Sequence, residues 1–249
     1  MKPCFWIVIA ALVVFSAGCI NESQEMSAES IRDKTLGSIA SVDSYDFDTN
    51  IDIVMSSGYT NMSMLMLSSG GVDVKNRRML MNNTIEIAGV TLDTITYVMN
   101  DTVYTEVDDR WSRETLGGEE FWGEENDVQK QSKLLKTAAV KKLPDTEMNG
   151  KECYVIEISP NKDAVVDYLL KQVGTKNPEI DEAELKKIAE SIQRMSMKEW
   201  VIKDTYLPTR IAMEIDTNAN NITTTMRMVF NFYDYNKAQE IELPADALK

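Results

Sequence analysis

The sequence predicts an α+β fold: a curved antiparallel sheet of about ten strands wrapping a few amphipathic helices. Three features point there. Apolar–polar alternation of period two fills residues 44–115 and returns after residue 195. Helical periodicity is confined to the start and the middle of the chain. Short turn signals punctuate the alternating runs and tie neighbours into hairpins.

A helix is predicted over Glu25–Ser41, where Ile31, Thr35, Leu36 and Ile39 fall near one face. In SYDFDTNIDIVM, Tyr45, Phe47, Ile51, Ile53 and Met55 alternate with Asp46, Asp48, Asn50 and Asp52, giving one apolar and one wet, acidic face. NMSMLMLSS and GVDVKNRRMLMNN read as strands separated by a turn at Ser69-Gly70-Gly71. TIEIAG and TLDTITYVMN follow. Asn100-Asp101 makes a tight hairpin into TVYTEV, and Asp108-Asp109 precedes the short strand RWSRET.

Helix returns over Glu124–Val140 on Val128, Leu135 and Ala139, and PDTEMNGKE is expected to turn into the strand CYVIEIS. Two more helices are predicted. Asn161–Val173 carries Val165, Tyr168, Leu169 and Val173 and stops at Gly174. Asp181–Arg194 carries Leu185, Ile188, Ala189 and Ile192, with Asp181 and Glu184 at capping-box spacing. SMKEWVIKD, PTRIAMEID and ITTTMRMVFNFYDYN return to alternation. In the last, Ile222, Thr224, Met226, Met228, Phe230 and Phe232 share one face. One domain over residues 28–249 is expected.

The N-terminus carries an address. Lys2 precedes an apolar run, Cys4 to Ala17, short of the ~20 residues a membrane-spanning helix needs. Ser16, Ala17 and Gly18 then lead into Cys19 and a polar stretch. This predicts residues 1–18 as a signal peptide and 19–27 as a tether; an ordinary secretory signal and an uncleaved anchor are the other readings. The small-small-cysteine sequence resembles the lipobox of prokaryotic lipoproteins, with Ser16 where that motif usually carries Leu. The resemblance implies that the Cys19 sulfur receives lipid and holds the protein on the extracytoplasmic face of the cell membrane.

Charge and composition exclude several classes. A net charge of −14 argues against nucleic acid, which needs a basic footprint, and against lying flat on an anionic bilayer. The chain has no histidine, the commonest general base and metal ligand. It has no nucleophile elbow, P-loop or dinucleotide glycine motif either. No enzyme activity, cofactor or metal is expected. The loop EEFWGEEND could offer Glu119, Glu120, Glu124, Glu125 and Asp127 to a hard cation, but it lacks EF-hand spacing and reads as a solvated acidic loop. Cys4 leaves with the signal and Cys19 takes lipid, so Cys153 stands alone in a strand-like run, as a buried inert thiol. Sequons at Asn21, Asn61, Asn82, Asn100 and Asn221 fit an N-glycosylated exterior or chance recurrence.

Three stretches carry a family resemblance: the hairpin YVMNDTVYTEVDDRWSR, the Trp strand EWVIKDTYLPTRIAMEI, and FNFYDYNKAQEIELPADA with its Tyr-Asp-Tyr-Asn turn. Together they resemble the lipoprotein carriers of the LolA, LolB and mycobacterial LppX/LprG type, over most of residues 25–249. The resemblance implies a half-barrel that holds acyl chains between sheet and helices.

Methionine fits that picture, with 15 in the chain and Met55, Met79, Met81, Met99, Met213, Met226 and Met228 read as inward-facing. Flexible thioethers suit an adaptable apolar cavity; a closed core is the alternative. The candidate ligand residues are Val165, Leu169, Leu185, Ile188 and Ile192 from helices, with Met226, Met228 and Phe230 from the sheet. The expected function is binding or carriage of a lipid or other hydrophobic ligand, with the membrane and an envelope protein as partners. A non-catalytic surface or sensory module with a filled core is the other reading.

Overall fold

The computed structural model describes residues 25–115, 122, 138–160, 187, 190–219, 221–237 and 240–248. Helix α1 spans Ala28–Ile39. It starts where the Ser27 hydroxyl accepts the Ser30 N–H at 3.2 Å, satisfying one of the donors a helix start leaves free. Its buried stripe is Ala28, Ile31 and Thr35.

Eleven strands follow: β1 Ser44–Ser56, β2 Asn61–Asp73, β3 Arg78–Ile87, β4 Val90–Met99, β5 Thr102–Val107, β6 Arg110–Thr115, β7 Ala139–Met148, β8 Lys151–Ser159, β9 Ile192–Ile202, β10 Pro208–Ala219 and β11 Ile222–Tyr233. They form one antiparallel sheet in the order β6-β5-β4-β3-β2-β1-β11-β10-β9-β8-β7, so the first and last strands of the barrel are adjacent and β6 and β7 remain unjoined edges. The alternation predicts the antiparallel sheet, and its form, an unclosed β-barrel or half-barrel, is the one the family resemblance implies.

The hairpin turns follow the residues that tolerate positive φ. Asp108 and Asp109 sit at 51° and 59°, and Asn149 and Gly150 at 52° and 74°, the left-handed pair that matches strand twist. Asn100 has φ 54°, at the reversal between β4 and β5.

Four expectations are corrected. Ser69, Gly70 and Gly71 lie inside β2; the reversal falls at residues 74–77, where the Asp73 carboxylate accepts the Asn76 N–H at 2.9 Å and Arg77 takes φ 54°. The helix expected to end at Val140 gives way to strand from Ala139. The stretch read as a turn before CYVIEIS belongs to β7 up to Met148, with a register shift between Leu143 and Thr146 that accommodates Pro144 on an edge strand. The helix expected through Arg194 ends earlier: Ser191 is its last helical residue, and Ile192 opens β9. The remainders of the helices expected over 124–140 and 181–194, and all of that over 161–173, lie outside the described residues, apart from the helical Lys187, Glu190 and Ser191.

The core sits where α1 crosses β7 and β8. Ala28 and Ile31 pack with Ala138, Ile156, Ile158, Met197, Val201 and Ile211, flanked by Met213, Phe230 and Phe232. Cys153 is fully buried and free, as expected, and burial pushes its thiol up.

Candidate functional site: the apolar face of the half-barrel

Residues directly opposite in an antiparallel register share a face, so the pairings sort every strand residue. The face carrying the α1 core also carries Tyr45, Phe47, Ile51, Ile53 and Met55 of β1, and Met226, Met228, Phe230 and Phe232 of β11. The alternation of both strands is therefore as read from sequence. The opposite face carries Asp46, Asp48, Asn50 and Asp52, paired with Tyr233, Asn231, Val229 and Arg227.

Two cross-strand rows define the apolar face. One runs Leu92, Ile85, Met66, Ile51, Met228, Met213, Met197, Ile158, Val140, apolar at each position from β4 to β7. Its neighbour runs Val90, Ile87, Met64, Ile53, Met226, Ile215, Met195, from β4 to β9. On β7 to β9 the first row lies in or beside the α1 core. Further along, cover thins: Ile51, Ile53, Met64, Met66, Met226 and Met228 are half-buried, and Met62, Ile87, Val90, Leu92 and Ile222 are exposed. Large exposed apolar side chains gathered on one face mark an interaction surface.

Methionine dominates this face. Met55, Met79, Met81, Met213, Met226 and Met228 lie on it as expected, joined by Met62, Met64, Met66, Met195 and Met197. Met99 does not: it pairs with Arg78 and Thr102 and points to the opposite face, one residue out of step with Val98.

Polar residues also stand on the apolar face, among them a threonine–asparagine seam and a buried carboxyl. A seam of Thr49, Ser68, Asn83 and Thr94 crosses β1 to β4, with the Ser68 hydroxyl donating to the Asn83 carbonyl at 2.7 Å and the Asn83 amide donating to Thr94 at 3.2 Å. On β9, Glu199 pairs with Ile211 and Ile156 and is 1% exposed. Neither carboxyl oxygen has a hydrogen-bond partner, and burial pushes its pKa up to about 7. Strict alternation in Met195, Met197, Glu199, Val201 is the sequence signal that places Glu199 on this face.

The opposite face carries most of the charged strand residues, with Leu65, Leu67 and Val229 among them. Arg194 bridges Glu214 and Asp216, the latter at 2.8 Å, and Thr225 donates to Asp216 at 2.8 Å. An open depression of about 310 Å³ lies there, lined by Asp48, Asn50, Leu67, Ser69, Asn82 and Asn231 among others.

Of the sequence-predicted site residues, Met226 and Met228 stand in the two apolar rows, and Phe230 packs beside the α1 core, its ring 6.5 Å from that of Phe232. Ile192 is buried at the start of β9 opposite Thr217, on a strand instead of the expected helix. Val165, Leu169, Leu185, Ile188 and Cys19 lie outside the described residues, as does Asn21. Asn61, Asn82, Asn100 and Asn221 are all exposed. Among the described residues no group of three or more His, Cys, Asp or Glu could hold a metal ion, and no helix is long and apolar enough to cross a membrane. Most of the acidic loop around Glu119 lies outside them.

The Mycobacterium tuberculosis lipoprotein LppX shares the fold at a TM-score of 0.52 and 10% identity, over 87% of this chain and 100% of that one. Two others match with looser superposition. One is a domain assigned to outer membrane lipoprotein sorting from Vibrio parahaemolyticus (TM-score 0.28, 12% identity, 86% of this chain and 95% of that one). The other is a chain of the Pseudomonas aeruginosa MucA/MucB complex (TM-score 0.34, 9% identity, 88% of this chain and 62% of that one). By sequence, the chain belongs to the DUF6612 family, a family of unknown function, whose profile matches residues 27–249. No curated protein matches it by sequence.

Proposed function

We propose that the protein is a membrane-anchored extracytoplasmic lipoprotein that binds or carries a lipid or other hydrophobic ligand against the apolar face of its half-barrel. The observation that carries this reading is that five exposed apolar side chains, Met62, Ile87, Val90, Leu92 and Ile222, share that face outside the α1 core, against Leu67 and Tyr233 on the other. Acyl chains laid there would gain roughly 0.8 kcal/mol per buried methylene. Met226 and Met228 lie at the centre of the surface, with Phe230 beside it; Val165, Leu169, Leu185, Ile188 and Ile192 complete the proposed ligand set. The role is binding, without catalysis or cofactor, and an envelope protein is the proposed partner for delivery or sensing.

In this reading residues 1–18 are a signal peptide, Cys19 carries the lipid, residues 19–27 form the tether, and residues 28–249 form the domain. The exposed Asn61, Asn82, Asn100 and Asn221 are available for glycans in a lineage that glycosylates.

The experiment incubates residues 25–249 with total membrane lipid, re-isolates the protein by gel filtration and identifies extracted lipid by mass spectrometry. One lipid class bound stoichiometrically, and lost in a folded Met226→Glu/Met228→Glu variant, is the expected result. A stable, lipid-free protein would instead assign the face to a filled core and the chain to a surface or sensory module.

A further inference from the structure

The methionines of the apolar face are ordered as well as numerous. Met213 of β10 has Met228 of β11 as its direct partner on one side and Met197 of β9 on the other. Three thioethers therefore stand side by side on three adjacent strands, on one face. Met195 and Met226 occupy the next row, both opposite Ile215.

Directly opposed residues hold their Cβ atoms ~4.5–5.5 Å apart, and methionine has three rotatable bonds beyond the backbone, so three sulfurs in such a row can converge on a single atom. Leucine would fill the same space with less adaptability but could not ligate.

We propose that Met197, Met213 and Met228 form a binding site for a soft monovalent cation of the Cu(I) or Ag(I) class. Thioether sulfur is neutral and soft, and it selects such ions over hard cations and over borderline ions that favour imidazole. Competing ligands are scarce in the domain: the chain has no histidine, Cys4 and Cys19 precede residue 28, and the buried Cys153 lies on the opposite face, paired with Ile202.

A second observation points to the same place. Glu199 follows Met197 by two residues on β9 and faces the same side, and both its carboxyl oxygens are buried without a hydrogen-bond partner. A buried acceptor left unpaired beside a row of sulfur donors is costly in a closed apolar core and useful beside a bound cation. Access is graded: Met197 is 7% exposed, whereas Met213 and Met228 are half-buried.

The test titrates the full chain with Ag(I) in chloride-free buffer, and with Cu(I) held by a competing chelator, following the ¹³C-labelled methionine methyl signals. One ion per chain, with the Met197, Met213 and Met228 methyls shifting together, is expected. Met213→Leu should lose saturable binding, and Met62→Leu/Met64→Leu should keep it. Lipid capture is read separately, by mass spectrometry of the lipid extracted from the unaltered protein, so a failure of the metal site and a failure of the lipid reading are distinguishable. Absence of saturable binding, or binding that survives in Met213→Leu and in Met197→Leu/Met228→Leu, overturns the assignment.

Discussion

Gly70 and Leu80 approach so closely that a β-carbon on Gly70 would stand 1.9 Å from the Leu80 carbonyl oxygen. The contact joins the middle of β2 to β3, where Gly70 pairs with Met81 and Phe47. The obstructing atom is backbone, so it cannot swing aside as a flexible side chain would. Gly70→Ala must move β3 or break the ladder there. A loss of roughly 1–3 kcal/mol is expected, in the range of overpacked cores. Chemical denaturation of the variant checks it, with an unchanged midpoint showing that the strands can shift freely.

That glycine also shows where sequence reading succeeds and where it does not. Alternation in β1 and β11 is legible because each strand keeps one wet face, with Asp48 and Asn231 paired across it. Ser69-Gly70-Gly71 carries the composition of a turn, but there glycine serves close backbone approach within a strand. The actual reversal depends on Asp73 capping Asn76, a side-chain bond that composition does not advertise. The starts of β7 and β9 were hidden for another reason. Val140 and Ile192 suit a helix stripe as well as a strand, and pairing with Ile158 and Thr217 decides between them. Among the site residues, Met226 and Met228 follow from period two, whereas the alignment of Met197, Met213 and Met228 depends on register between strands distant in sequence.

Glu199 should give the protein an inverted pH dependence. Burial raises the folded-state pKa to about 7 from 4.5, so the folded protein keeps a proton that the unfolded chain releases near 4.5. Stability from this group is therefore fully present below about pH 4.5, falls as pH rises, and levels off above about 7. The swing is on the order of 3 kcal/mol. Glu199→Gln cannot ionise, so its stability relative to the wild type should climb by that amount between the two pH values. Parallel denaturation profiles at pH 4.5 and 7.5 would show that the carboxyl is solvated in the folded state.

Cys153 should be silent toward thiol reagents. It is fully buried between Glu152 and Tyr154 on β8, and its thiol titrates above the usual range because burial disfavours the thiolate. Thiolate is the nucleophile, so both access and reactivity are low. Iodoacetamide should label the native protein only at the rate of unfolding and label it at once in denaturant. Rapid native labelling would place the thiol on an accessible surface.

Helix α1 offers a matched pair of substitutions that separates docking from helix propensity. Ile31 is 0% exposed and packs into the core over β7 and β8, so Ile31→Ala should cost roughly 2–5 kcal/mol through lost burial and the cavity left behind. Gly37 lies on the same helix with open space around its Cβ position, so Gly37→Ala should add roughly 0.5–1 kcal/mol by removing backbone freedom from the unfolded chain. If α1 is an integral wall of the core, both changes shift one cooperative unfolding transition, in opposite directions. If α1 can lift while the sheet persists, Ile31→Ala instead exposes amides of 28–39 to hydrogen exchange while β1 and β11 remain protected. In that case the helix, rather than the sheet, controls access to the buried row at Met197 and Glu199.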